Sequence, residues 1–171
     1  MSETPIPVPL RHRPTVGGLV VPWITVQMPD GRYRFGAIDA DRLRTAFIDH
    51  LCQICGEQMS RLFVFAMRTV DFERLISTEP AMHPECARYS VTACPMIAGN
   101  MTHYHAQASD APESAGDPHG ARPGHRAHEW RLLWTTGYRT TLDPRTRTPA
   151  AEIPIELLQR VQRIKPPTPD R

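Results

Sequence analysis

Apolar and polar positions divide the chain into stretches of different period. Leu19 to Val26 and Arg32 to Ile38 are apolar-rich runs on either side of Pro29-Asp30-Gly31. An Asp-Gly pair between two such runs predicts a β-hairpin. From Asp39 the period lengthens: Leu43, Ala46, Phe47, His50 and Leu51 recur at intervals of three and four. That spacing predicts an amphipathic helix, capped by Asp39 or Asp41, that runs into Cys52. Arg61 to Arg68 contains the unbroken run Leu62-Phe63-Val64-Phe65-Ala66-Met67, which suits a strand buried on both faces, and Val70 to Ile76 reads as a short helical turn. Pro84 to Cys94 is predicted to be a helix, with Pro84 at its first position and Pro95 as its stop. Glu129 to Thr141 returns to strand character, and Pro154 to Ile164, with Leu157, Leu158, Val161 and Ile164 at helical spacing, predicts a last helix.

Between and around these elements the pattern lapses. Residues 1–14 carry four prolines and no period, and are expected to be a tail that lies over the domain in extended form. Residues 106–128 are dominated by Ala, Gly, Pro, Ser, Asp and His, and residues 165–171 hold three prolines, so a disordered insertion and a second tail are expected there. The prediction is a single small α+β domain with flexible termini: a core from residue 15 to 105, completed after the insertion by a strand and a helix over 129–164. A length of 171 residues, with 40% hydrophobic positions, agrees with one core. The net charge of +2 announces no polyanion-binding surface. Met1 to Pro9 lacks the basic and apolar regions of a secretory signal. The longest apolar stretch, Val16 to Val26, is broken by Gly17, Gly18 and Pro22 and is far short of a membrane span. A cytoplasmic protein is expected, and in that setting four cysteines are reduced ligands rather than a disulfide framework.

The chemistry of the chain is concentrated in two short motifs. Cys52-Gln-Ile-Cys55-Gly56 is followed by His83-Pro-Glu-Cys86, two pairs that each supply two corners of a tetrahedron without closing a long loop. This pattern predicts a Zn2+ site made by Cys52, Cys55, His83 and Cys86. Gly56 suits the sharp turn after the second cysteine, where a positive φ is cheap only for glycine. Pro84 places His83 and Cys86 at a helix start, whose dipole and free N–H groups favour a thiolate. A knuckle followed by ligands at a helix N-terminus makes the expected fold treble-clef-like. Cys94 competes for the fourth corner. Eight helical steps put its α-carbon ~12 Å from that of Cys86, whereas ligand sulfurs of one zinc are only ~4 Å apart. Cys94 therefore reads as a buried small residue, with redox chemistry, an alternative ligand role or a four-cysteine iron–sulfur site as the sharper alternatives.

The run from Leu51 to Pro95, with LCQICGE and STEPAMHPECARYSVTACP, the preceding VPWITV and the later LLWTTGY, resembles a family of small uncharacterised proteins of bacteria and phages. Its members share a CxxCG knuckle, an EPxxHxxCA segment and a closing ACP. The resemblance covers residues 16 to 140 and matches Cys52, Cys55, His83, Cys86 and Cys94 by position. It implies a metal site and no particular activity.

Other candidates carry less. His103, His105, His119, His125 and His128 fall within the 26 residues 103–128 and read as the polarity of a biased loop, with a second metal site as the alternative. His50 reads as a helix end or a neighbour of the ligands. A nuclease of the HNH kind needs a histidine between its ligand pairs, and none lies between Cys55 and His83. Hydrolase, P-loop, dinucleotide-binding and zinc-protease motifs are missing from the sequence. From Arg139 to Arg171, seven basic residues face four acidic ones, a surplus that would assist phosphate contacts but lacks interleaved aromatics. Trp23, Trp130, Trp134 and Tyr138 read as core. The expected function is that of a non-enzymatic binding or adaptor protein with a structural zinc site, its partner a protein or a nucleic acid and no membrane involved. The alternative is a metal- or thiol-dependent enzyme that uses the zinc site or Cys94.

Overall fold

The computed structural model describes residues 4–98, 115–116 and 129–164. The expected insertion at 106–128 (apart from Ala115 and Gly116), the five histidines between residues 103 and 128 and the tail at 165–171 lie outside the described residues. Within them are two helices and four small sheets, all antiparallel. Strands β1 (Thr15–Val16) and β2 (Leu19–Val20) form a two-stranded ribbon. Strands β3 (Thr25–Gln27) and β4 (Tyr33–Asp39) pair across the Asp-Gly turn, where Met28 N–H donates to Arg32 O at 2.7 Å and Gly31 has φ +84°. The first apolar run is thus not one strand. Pro22 has no N–H to give, and the next two donors leave the hairpin: Trp23 N–H goes to Ile54 O at 2.9 Å and Ile24 N–H to Gln53 O at 3.2 Å.

Helix α1 (Ala40–Ile48) starts where predicted. The Asp39 carboxylate accepts from the N–H groups of Asp41 and Arg42, satisfying two otherwise orphaned donors. Asp39→Ala should therefore cost about 1 kcal/mol in urea unfolding. The helix stops before Cys52 instead of running into it. Leu51 N–H closes back on Ala46 O at 3.0 Å, and His50 takes a left-handed φ of 55°. Tyr138 and Thr140 compete for the last carbonyls, their hydroxyls donating to Phe47 O at 3.1 and 2.8 Å.

Strand β5 (Phe63–Arg68) lies at the end of a three-stranded sheet. It pairs with β8 (Trp130–Thr135) on one edge and meets Met82 by a two-way bridge at Val64 on the other. Every side chain from Phe63 to Met67 is buried, which is why its sequence is continuous in apolar residues rather than alternating. A 3-10 turn over Thr69–Arg74 leads to β6 (Ile76–Ser77), and helix α2 (Pro84–Ala93) follows. Ala115–Gly116 (β7) pairs with β4. After β8 the chain turns at Thr136 and Gly137, so the predicted 129–141 strand divides into β8 and β9 (Arg139–Leu142), and β9 joins β10 (Pro149–Glu152) and β6 in a separate sheet.

The C-terminal helix predicted over 154–164 is not formed. A 3-10 turn at Ile155–Leu157 is followed by β11 (Leu158–Arg163), which pairs with β8. A bulge explains the misleading spacing. Leu158 lies opposite Thr135 and Val161 opposite Leu133, so the register shift between Leu158 and Arg160 puts residues three apart on the same face.

One contiguous core runs from Leu10 to Ile164 and includes Phe47, Phe65, Met82 and Leu133 together with Cys52, Cys55 and Cys86. The proline-rich N-terminal segment contributes to it directly, since Leu10 is 0% exposed at the end of a 3-10 turn. Among the described residues no helix is long and apolar enough to cross a membrane.

Candidate metal centre

Residues 51–58 form a tight loop closed by a bridge between Leu51 and Gln58. Within it Gly56 N–H donates to Cys52 O at 2.8 Å and Cys52 N–H to Glu57 O at 2.9 Å. These bonds fold the chain back on itself, so that Cys52 and Cys55 turn their sulfurs the same way. The reversal requires φ +83° at Gly56, and the Trp23 ring lies against the bare α-carbon. His12 reaches the outside of the loop, with Nε2 3.4 Å from Cys55 O.

The second half of the site is built on the start of α2. His83 is the N-cap residue, in extended conformation at φ −63° and ψ 155°, and Pro84 occupies the first turn. Proline fits there because its missing N–H would have had no helical partner. Cys86 follows inside the first turn, buried to 1% exposure, where the helix N-terminus favours negative charge on sulfur. The preceding residue, Met82, is fixed by the two-way bridge to Val64, which anchors this half to β5.

The structure brings the four together. One ligand atom from each of Cys52, Cys55, His83 and Cys86 lies within 4.8 Å of every other, and the group can hold a metal ion. Cys55 Sγ is 3.4 Å from His83 Nδ1, and His83 N–H points at Cys52 Sγ, also at 3.4 Å. The cysteines are at most 4% exposed. Burial opposes ionisation of Cys52, but hydrogen bonds from the Cys55 and Cys86 side chains and from the backbone at Cys55 and His83 outweigh it and hold this thiol far below the ordinary range. Cys86 is pushed the other way by its hydrogen bonds to Cys52 and Cys55 and by burial, and keeps its proton. Two thiols pushed in opposite directions within one small buried space thus compete for a proton, the condition that a cation relieves.

Cys94 stays outside this group. It caps the far end of α2, its N–H donating to Ser90 O at 3.0 Å, and burial pushes its thiol up. His50 also stays outside. Its ring stacks on Tyr138 at 4.5 Å and meets Phe63 edge-on, and it lines a surface hollow of about 540 Å³ with Asp49 and Gln58. Trp23 and Gln53 are contributors that sequence reasoning missed. From the sequence Trp23 reads only as core, and no spacing rule marks Gln53, although its place between Cys52 and Cys55 is visible in the chain.

Compared with models of protein families, with curated proteins and with solved structures, the chain matches none.

Proposed function

We propose that this chain is a zinc-binding protein in which Cys52, Cys55, His83 and Cys86 hold one structural Zn2+ in a treble-clef-like setting, and that it works by binding partners rather than by catalysis. The observation that carries this reading is the closed donor set, four ligand atoms within 4.8 Å of one another. Tetrahedral zinc with thiolate bonds near ~2.3 Å has edges of about 3.8 Å, so a small contraction fits the ion. Thiolates and imidazole are donors that zinc takes readily. With all four corners taken by protein, no corner is left for water or substrate, and the ion's contribution is to cross-link two segments and stabilise the fold. The treble-clef reading rests on the order of parts: a glycine-turned knuckle, an intervening strand, then ligands at a helix start. Thiols kept available as ligands go with a reducing, cytoplasmic setting.

Charge favours a protein partner over a nucleic acid. Arg163 is held by Glu129 at 2.7 Å, and Arg139 lies within 3.9 Å of both Glu152 and Glu156. Part of the basic surplus that would meet phosphates is thus neutralised within the chain.

Native mass spectrometry of tag-free protein should show one zinc per chain. Iron, or no metal at all, would overturn the assignment. Binding should also depend steeply on pH. Because Cys86 holds its proton above the ordinary thiol range, metal uptake at neutral pH must displace at least that proton. The affinity measured by chelator competition should fall at least about tenfold for each unit of acidification.

A further inference from the structure

The two halves of the metal centre are distant in the chain, and a donor set within 4.8 Å requires that something hold them in register. We infer that Gln53 is the positioning residue that does so, clamping the knuckle to the segment that delivers His83 and Cys86. This inference rests on the zinc reading above and adds to it how the site is prepared before the ion arrives.

Gln53 sits between Cys52 and Cys55 and is 7% exposed. Its backbone N–H donates to Ala81 O at 3.0 Å, and its side-chain Nε2 donates to Pro80 O at 2.6 Å. Its own carbonyl accepts from Ile24 N–H at 3.2 Å, so one residue joins the knuckle, the N-terminal hairpin and the run into His83. That run is gripped from its other end by Met82, whose N–H and carbonyl both pair with Val64, at 2.8 and 3.0 Å. Residues 80–82 therefore lie between Gln53 and β5, and the next residue is a ligand. Pro80 is fully buried, and without the glutamine amide its carbonyl would lack this partner, which disfavours sliding of the two halves. Groups that orient ligands in this way typically cost 10- to 100-fold in metal affinity when removed.

Gln53→Met tests the clamp, because methionine keeps the length and bulk of the side chain and the backbone bonds while removing the amide. Zn2+ affinity of the full chain, measured by chelator competition below the melting temperature of both metal-free proteins, should weaken by about 10- to 100-fold. A residue that serves only the general fold would lower the melting temperatures of metal-free and metal-loaded protein alike and leave affinity unchanged, and that result overturns the proposal. Amide exchange on the metal-free wild type gives a reading that needs no variant. The amides of Gln53 and Met82 should be protected, and exchange at unfolded rates there overturns a clamp that acts before metal. A wild type that takes up no zinc would sink the zinc reading itself, whereas wild-type uptake with an unaffected variant removes only the clamp.

Discussion

Cys86→Ser should abolish stable metal binding, while Cys94→Ser should keep one metal per chain. The contrast is sharp because the two cysteines lie on or next to the same helix. Cys86 is in the first turn of α2 with its sulfur in the ligand group, and Cys94 caps the opposite end. Losing a ligand should exceed the ~100-fold that a supporting residue costs, and the metal-free fold should lose the cross-link between residues 52–55 and 83–86. Native mass spectrometry of the two variants beside wild type reads the result directly, and chelator competition gives its size. Loss of metal in Cys94→Ser as well would mean that the four-residue site is wrong and that thiol or iron–sulfur chemistry has to be reconsidered.

Gly56→Ala should be the most damaging change that touches no ligand. An alanine Cβ would lie 2.7 Å from Trp23 Cδ1 and 2.8 Å from Cγ, at a φ of +83°. Trp23 cannot retreat easily. Its N–H is bonded to Ile54 O at 2.9 Å, its carbonyl receives Arg42 Nη1 at 2.7 Å, and the Arg42 guanidinium lies 5.8 Å from the centre of its ring. Left-handed backbone at a residue with a side chain costs ~1–2 kcal/mol, and forcing atoms into a filled space adds ~1–3 kcal/mol. A loss of about 2–5 kcal/mol in urea unfolding is expected. Gly31→Ala is the control, since Gly31 has nearly the same φ, +84°, with nothing within 4 Å of the added carbon. It should show the backbone cost alone. Equal losses at the two positions would mean that the Trp23 contact carries no weight.

These two expectations differ in how far they could be read without coordinates. The Cys/His cluster was legible because Cys-x-x-Cys and His-x-x-Cys are local: each motif fixes two potential donors by turn or helix geometry, and only the meeting of the pairs is left to the fold. A cap at Asp39 or Asp41, the proline at the start of α2 and the Asp-Gly hairpin turn were legible for the same reason, and of the two aspartates it is Asp39 that caps. The Gly56–Trp23 contact was not, because no periodicity links residues 33 positions apart.

The misread elements follow the same division. The period of Leu158, Val161 and Ile164 is helical, yet a bulge and an available edge on β8 made those residues a strand. The period of α1 extends to Leu51, yet Tyr138 and Thr140 took its last carbonyls and ended it early. The sequence by itself determined the two Cys/His motifs, the caps, the turns and the buried character of β5, all of which depend on neighbours within a few residues. Only the tertiary structure decided where the helices stop, which strands share a sheet and how Gln53 joins the two halves of the site, because those outcomes depend on which backbone donors and acceptors are brought within bonding distance by chain folding.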